Sequence, residues 1–247
     1  MTVVTDKRDI EKIRESGKII REIFEMIVGK ISDGISTAEI DRIVEEFIIL
    51  RGAKPAFKGY RGFPAATCVS PNEVVVHGIP SKNIILRQGD IVSVDVGVEK
   101  NGFFTDAART FSVGKISEEA NALVRATKKA LSEGIKAAVA GNRISDISFA
   151  VESVAKREGL KEVRMFVGHG IGRQLHEAPE VPNWGEPGRG LVLKEGLLLA
   201  IEPMFNIGTR EVKIRPDGWT AVTADGELSA HFEDTVIVGK EKAEILT

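Results

Sequence analysis

Four acidic residues lie in stretches whose other residues are largely apolar. They are Asp95 in GDIVSVD, Asp106 in GFFTDAART, Glu202 in GLLLAIE and Glu233 in SAHFEDT. Burying an ionised carboxylate in such surroundings costs roughly several kcal/mol unless it is paired or bound to a metal ion. A single acid of this kind is usually an edge salt bridge or a turn residue. Four of them leave two hypotheses, a metal site or a buried cluster of acids that share protons. The cluster would need nearby cations to offset its charge, and these four segments contain no lysine.

The segment FVGHGIGRQLHE contains two of the chain's four histidines, His169 and His176. Four carboxylates and one histidine suffice for two metal ions if two acids bridge them, and hydrolases hold such ions about 3.5–4 Å apart with an activated water between them. The segment is not a GxGxxG fingerprint, because Arg173 occupies the third glycine position, and its histidines lack the HExxH spacing. From the residues alone, a histidine between glycines is more often structural than a ligand. His77 in NEVVVHGIP has the same structural alternative.

The elements that must position these residues follow from the apolar periodicity of the chain. Helices are expected over residues 6–29, from the capping box of Ser36 and Glu39 to Gly52, over 117–139, and from a cap at Ser145 to Gly159. Strands are expected at 64–78, 89–98, 103–113, 162–168, 196–206, 210–215, 219–223 and 229–238. This order places all four acids on strands.

The two halves of the chain repeat the same order of elements. The separation from Gly52 to Asp95 equals that from Gly159 to Glu202, and each acid ends an apolar strand. The spacing predicts an old duplication, with pseudo-repeats over roughly 6–113 and 117–238 inside a single domain of residues 1–247. Such a duplicated unit would pack two sheet halves about a pseudo-twofold axis, with helices outside.

Composition excludes several classes of protein. The 247 residues include 34 basic and 36 acidic side chains, a net charge of −2, which gives no sign of a nucleic-acid-binding surface. The single cysteine, Cys68, excludes an intrachain disulfide and a CxxC motif. Neither a signal-peptide apolar region nor a run of membrane-spanning length is visible. A cytoplasmic protein is the simplest expectation.

Taken together, these segments resemble the type I methionine aminopeptidases over about residue 7 to 247. The matching motifs, in the family's order and spacing, are NEVVVHGIP, DIVSVDVG, GFFTDAART, GHGIGRQLHE, AIEPMF and SAHFEDT. The resemblance implies the α+β "pita-bread" fold, in which two pseudo-symmetric halves form a central curved antiparallel sheet with outer helices. It also implies removal of the initiator methionine from nascent proteins whose second residue is small.

The resemblance implies five metal ligands in this chain. They are Asp95, Asp106, His169, Glu202 and Glu233. By resemblance Asp106 and Glu233 bridge two divalent ions, Asp95 holds one ion, and His169 and Glu202 hold the other. Glu202 would also act as the general base that takes a proton from the attacking water. The family is active with cobalt, manganese or iron, and the sequence does not select among them.

Further roles are carried over from the family to residues around these ligands. His77 would contact the substrate, and His176 would hydrogen-bond the scissile carbonyl oxygen and the tetrahedral intermediate. The slot for the methionine side chain maps onto Phe57, Tyr60, Phe63, Cys68, Leu175 and Trp219. Core packing is the alternative for these six residues. Phe63 and Leu175 stand where some relatives carry tyrosine and phenylalanine, which would alter the slot.

Two residues beside Glu233 are expected not to be ligands. His231 falls at a position that is not a ligand in relatives, so it is interpreted as supporting or structural. Asp234 stands where some relatives have histidine, and alternation turns it to the opposite face of the strand.

The remaining expectations concern rivals and partners. An Xaa-Pro peptidase of the same fold would carry an extra N-terminal domain, whereas a non-catalytic binding protein or a metal-free creatinase-like hydrolase would lack ligands that are present here. The minimal form of the family is usually monomeric, and its substrates are nascent polypeptide N-termini. A transient ribosome contact would use basic surface near the site, for which Lys54, Lys58 and Arg61 are candidates.

Overall fold

The computed structural model describes all 247 residues, which form four α-helices and fifteen strands. The helices are α1 (Lys7–Ile27), α2 (Thr37–Leu50), α3 (Glu118–Ala137) and α4 (Ile144–Glu158). The strands are β1 (Lys54–Pro55), β2 (Thr67–Pro71), β3 (Val74–Val76), β4 (Ile91–Lys100), β5 (Phe103–Ser112), β6 (Lys161–Glu162), β7 (Gly168–Gly170), β8 (Glu177–Val181), β9 (Leu198–Ile201), β10 (Met204–Asn206), β11 (Val212–Ile214), β12 (Ala221–Thr223), β13 (Ser229–His231), β14 (Asp234–Ile237) and β15 (Glu244–Ile245). None of the helices combines the length and the apolar character that crossing a bilayer requires.

Side-chain caps fix the starts of three helices. Asp6, Ser36 and Ser117 each accept a hydrogen bond from a backbone N–H in the first turn of the helix that follows. Such caps satisfy donors that the helix itself leaves free. The helix from Ser36 therefore begins where the sequence predicts.

The predicted cap of α4 at Ser145 is wrong. The cap position is Arg143, two residues earlier, so the helix begins at Ile144, and the backbone N–H of Arg143 donates to the Asp146 carboxylate at 2.7 Å. The Ser145 hydroxyl instead donates to the backbone carbonyl of Arg189 at 2.9 Å. Serine tethers a loop here because a neighbouring acid already occupies the helix start.

Two antiparallel sheets carry the acids identified in the sequence. The first contains β1, β4 and β2 in that order, with β5 also paired to β4. The second has the order β15-β14-β9-β7-β8. Each sheet is covered by helices: α1 and α2 bury Ile20, Ile23 and Val44 against the first, and α3 supplies Leu131 and Ile135 to the core over the second.

Backbone and side-chain hydrogen bonds join the two sheets between β5 and β14. Ala108 and Glu233 exchange backbone hydrogen bonds of 3.3 and 3.0 Å. The Thr235 hydroxyl accepts from the Asp106 N–H at 2.9 Å and donates to the Asp106 carbonyl at 2.8 Å. The two sheets therefore meet at the residues that carry Asp106 and Glu233.

Four predicted strands are interrupted, and two of the interruptions fall beside the acids. The segment 64–78 divides into β2 and β3, and only the two ends of 162–168 belong to strands, β6 and β7. The segment 196–206 divides into β9 and β10 around Glu202 and Pro203, and 229–238 divides into β13 and β14 around Phe232 and Glu233. Proline has no N–H to continue a ladder. The short strands β1, β8 and β15 were not predicted, since polar and proline-containing stretches such as EAPEV give no apolar alternation.

Candidate metal centre and adjoining cavity

One cavity of about 280 Å³ collects all five predicted metal ligands. Asp95 and Asp106 come from the β4–β5 hairpin of the first sheet, and His169 lies on β7 of the second. Glu202 directly follows β9, and Glu233 lies between β13 and β14. Residues far apart in the chain are thus brought together by the docking of the two sheets.

The distances among these side chains suit shared cations. The ligand atoms of Asp106, His169 and Glu233 lie within 4.8 Å of one another. Nε2 of His169 is 4.0 Å from Oδ2 of Asp106 and 3.8 Å from Oε1 of Glu202. The His169 Nδ1–H donates to the Gly170 carbonyl at 2.9 Å, so the lone pair of Nε2 faces the acids. Metal-binding histidines are commonly oriented in this way.

Unpartnered oxygens supply the test of whether a metal fits. The buried atoms Oδ1 of Asp95, Oδ1 of Asp106 and Oε1 of Glu233 have no hydrogen-bond partner. No lysine or arginine forms an ion pair with these acids, and the basic side chains within 4.0 Å of them are the histidines His169 and His231. Buried polar atoms in proteins are normally satisfied, so these oxygens call for a ligand that accepts their lone pairs. Divalent cations meet that need, and the donor set fits them.

Burial and mutual repulsion shape the protonation of the acids. Burial raises the pKa of Asp95 to about 7. The pKa values of Asp106, Glu202 and Glu233 are raised well above their ordinary range, first by burial and then by the neighbouring carboxylates. Without cations the cluster would therefore hold protons near neutral pH, and cations would replace them.

The histidines of the cavity are neutral at physiological pH. Burial lowers the pKa of His77 and His169 to about 4, and burial with the nearby His169 lowers that of His176 to about 3. The His176 ring lies 4.3 Å from the His169 ring, centroid to centroid, and its Nδ1 is 3.0 Å from the Tyr60 hydroxyl. His77 has a φ of 58°, an uncommon backbone conformation that in proteins often occurs at functional sites.

Apolar side chains form the rest of the cavity wall. Five of the six predicted slot residues line it: Phe57, Tyr60, Phe63, Cys68 and Trp219. Leu175 does not line the cavity but is buried in the same apolar cluster behind it.

Phe166 and Met165 also line the cavity and were not singled out from the sequence. Phe166 packs edge-on against His77, with centroids 5.1 Å apart. The sequence offered one indication of this role for Phe166, its position three residues before His169.

The two residues beside Glu233 have different surroundings. His231 lines the cavity, and its Nε2 lies 3.6 Å from Oε2 of Glu202. Asp234 points elsewhere, where its carboxylate accepts from Arg109 at 2.5 Å and from the Thr247 hydroxyl at 3.2 Å.

Comparisons with known proteins agree with this geometry. Residues 11–240 match the family described as metallopeptidase family M24. The chain is 51% identical over 247 residues to the methionine aminopeptidase of Clostridium perfringens, covering all of this chain and 99% of that protein. It is 44% identical over 247 residues to methionine aminopeptidase 1 of Bacillus subtilis, again covering all of this chain and 99% of the relative.

Solved structures show the same likeness. The crystal structure of methionine aminopeptidase from Thermotoga maritima has a TM-score of 0.98 and 43% identity, covering 100% of this chain and 99% of that one. A prolidase from Pyrococcus furiosus has a TM-score of 0.80 at 24% identity, and the match covers 99% of this chain and 65% of the prolidase. The likeness to the prolidase is one of fold alone.

Proposed function

The chain belongs to metallopeptidase family M24 and, within it, to the methionine aminopeptidases, and from this premise we propose that its five clustered side chains hold two divalent metal ions beside the scissile bond. The predicted pita-bread fold and the predicted removal of an N-terminal methionine are confirmed. The Xaa-Pro alternative has only a shared fold in its favour.

The three unpartnered carboxylate oxygens carry the metal part of the proposal. Asp106 and Glu233 would bridge the ions, Asp95 would complete one site, and His169 with Glu202 would complete the other. Two divalent cations balance four ionised carboxylates. Cobalt, manganese and iron all accept this oxygen-rich set with one imidazole. When bound, the ions supply Lewis-acid activation of the attacking water and of the scissile carbonyl.

Glu202 is proposed as the general base. Burial raises the pKa of its carboxyl, which makes its ionised form a stronger base than an exposed glutamate. Its two oxygens face different neighbours, Oε1 towards His169 and Oε2 towards His231. The carboxylate can therefore accept the proton of the water without leaving the cavity wall.

His176 and His77 are proposed to hold the substrate amide. If the Tyr60 hydroxyl donates to Nδ1 of His176, the proton of that imidazole lies on Nε2. Nε2–H can then donate to the scissile carbonyl oxygen and stabilise the charge that develops there. His77, also neutral and partly buried, packs against Phe166 and Trp219 on the cavity wall, where it can contact the scissile amide.

The apolar wall is proposed as the slot for the methionine side chain. Phe63 meets Trp219 edge-on at 5.2 Å between centroids, and Phe57 and Cys68 lie in the same buried cluster. A cavity of about 280 Å³ suits one side chain of this size. Leu175 would act from behind by supporting that wall.

Partner and location proposals follow from the substrate. Nascent N-termini are produced in the cytoplasm, so we place the enzyme there, as a monomer with transient ribosome contact. Lys54 already pairs with Glu99 at 2.9 Å and Lys58 with Glu45 at 2.5 Å. Arg61, on the cavity lining and stacked over Tyr60, is the stronger candidate for that contact.

Peptide hydrolysis tests the proposal. With Mn²⁺ or Co²⁺ added to metal-free enzyme, Met-Gly-Met should lose its first methionine and Met-Lys peptides should not. Metal analysis of anaerobically purified enzyme would identify the ions and their number. Glu202→Ala should abolish turnover and weaken one metal site. No turnover of either peptide with any divalent metal, or full activity of Glu202→Ala, would overturn the assignment.

A further inference from the structure

His231 is a buried residue of the cavity to which neither the ligand set nor the substrate contacts give a role. Only 2% of the residue is exposed, and its Nε2 has no hydrogen-bond partner. The nearest acid is Glu202, whose Oε2 lies 3.6 Å away. The other oxygen of that carboxylate, Oε1, lies 3.8 Å from Nε2 of His169. Glu202 therefore stands between two imidazoles, with one oxygen turned to each.

The backbone holds His231 in this orientation. Its N–H donates to the Thr110 hydroxyl at 3.0 Å, and its carbonyl accepts from the same hydroxyl at 2.8 Å. Thr110 belongs to β5 of the first sheet, and Met204 pairs with His231 on the other side. These bonds fix the backbone from which the imidazole projects, and the burial of the side chain leaves little space for another rotamer.

The Glu202 carboxylate has no comparable restraint of its own. The Glu202 backbone carbonyl accepts from the Asn183 amide at 3.1 Å, but the structure contains no hydrogen bond to the carboxylate. The terminal torsion of a glutamate is broad, so an unrestrained carboxylate exchanges its two oxygens or binds a metal through both. If the Glu202 carboxylate is both a metal ligand and the general base, one of its oxygens must bind the metal ion while the other accepts the proton.

We propose that His231 is a positioning residue for Glu202: its Nε2–H, 3.6 Å from Oε2 in this structure, moves within hydrogen-bonding distance of Oε2 when the metal centre is occupied and thereby reserves Oε1, on the His169 side, for the metal ion. This inference rests on the proposed function, because it assumes that Glu202 is a ligand.

The geometry favours positioning over direct ligation by His231. Nε2 of His231 has one acid within 4.0 Å, Oε2 of Glu202 at 3.6 Å. Nε2 of His169, the proposed ligand, faces two, Asp106 at 4.0 Å and Glu202 at 3.8 Å. A purely structural histidine would be expected to have both ring nitrogens satisfied by the elements around it. The unpartnered nitrogen of His231 instead faces the one carboxylate whose orientation decides the chemistry.

Cobalt titration tests this role without relying on turnover. Metal-free native enzyme and the His231→Ala and His231→Gln variants are titrated with Co²⁺ by calorimetry, and the visible absorption of the bound ion is recorded. His231→Ala should weaken one Co²⁺ site about tenfold or more, as loss of such supporting hydrogen bonds does elsewhere, and should change the absorption band. His231→Gln, whose amide can still donate, should restore both towards the native values.

Controls separate this role from the others. His77→Ala removes an imidazole of the same cavity that contacts no acid, and it should leave the Co²⁺ isotherm unchanged. In each variant the melting temperature and far-ultraviolet circular dichroism confirm folding. With Met-Gly-Met, His231→Ala should lower kcat and leave KM nearly unchanged.

Three results would overturn the proposal. The first is a native isotherm in folded His231→Ala, and the second is folded His231→Gln that binds Co²⁺ no better than His231→Ala. The third is complete loss of one bound ion in His231→Ala, which would make His231 a ligand. A native enzyme that binds fewer than two ions would contradict the two-ion part of the proposed function instead, while the effect on the remaining Glu202 site would still be measured.

Discussion

The Tyr60 hydroxyl lies 3.0 Å from Nδ1 of His176, and the two rings are stacked with centroids 5.1 Å apart. The His176 ring in turn lies 4.3 Å from that of His169. Tyr60 begins a short 3₁₀ turn, Tyr60–Gly62, that follows Gly59 in the left-handed conformation. A residue predicted only as a wall of the methionine slot thus also contacts the ring that is proposed to face the scissile carbonyl.

Tyr60→Phe should separate these two tasks. The substitution keeps the ring that lines the cavity and removes the hydroxyl that is proposed to select the His176 tautomer. We expect kcat with Met-Gly-Met to fall about tenfold, less than the roughly 10²–10³-fold expected for losing the contact itself, with KM nearly constant. Tyr60→Ala should also raise KM, since the wall is lost. Native kcat in Tyr60→Phe would show that the hydroxyl does not orient His176.

His169 and His176 should fail differently when they are replaced. His169→Ala should lose bound metal, because Nε2 of His169 faces Asp106 and Glu202. His176→Ala should keep its metal and lose about 10²–10³-fold in kcat, as removal of an oxyanion contact does. Metal content by mass spectrometry and steady-state kinetics on both variants check this. Equal metal loss in the two proteins would make His176 a ligand and refute the division.

Metal affinity should rise with pH. Burial raises the pKa of Asp95 to about 7, and the pKa values of the other three acids are also raised well above their usual range, so the metal-free site holds protons that a cation must displace. His169, with a pKa of about 4, is already neutral and releases none. Each proton released strengthens binding about tenfold per pH unit.

Calorimetric titration with Mn²⁺ at pH 6, 7 and 8 measures this dependence. Repeating the titration in buffers of different ionisation enthalpy counts the protons released. An affinity that does not change between pH 6 and 8 would contradict the protonated state of the metal-free acids.

Asp234→Ala should destabilise the protein. The Arg109 guanidinium donates to the Asp234 carboxylate and to the backbone carbonyls of Ala108 and Glu233. Removing the acid leaves a largely buried cation without its partner, which costs about 3 kcal/mol in comparable cases. Urea unfolding of the metal-free protein measures the loss.

The double variant Arg109→Met with Asp234→Leu is the matched control, because it removes both charges and fills the space with apolar atoms. It should recover most of the lost stability. If the double variant is as unstable as Asp234→Ala, the loss of stability comes from altered packing and not from the unpaired charge of Arg109.

The helices could be predicted from the sequence as far as local residue patterns determine them. The helices were predictable because apolar residues recur at their period, and three of the four starts carry a capping side chain. The start of α4 was not, since Asp146 competes with Ser145 and only the fold decides between them.

The candidate site divides in the same way. The acids stood out because they interrupt apolar strands, and the structure brings all of them to one cavity; their roles as ligands stay a prediction, as does the duplication of the two halves. The contacts from Tyr60 to His176 and from His231 to Glu202 join residues that are distant in the chain, so no local pattern could reveal them.

The hydrogen bonds between Asp106 and Thr235 span 129 positions of the chain. Contacts between residues so far apart in the chain are expected to form late in folding, because closing the long intervening loop costs conformational entropy before the contact stabilises the structure. A refolding molecule in which only one sheet has formed has half of the acids and no working centre. During refolding, recovery of peptide hydrolysis should therefore lag behind recovery of helical circular dichroism. The activity would then measure the fraction of molecules in which the two sheets have docked.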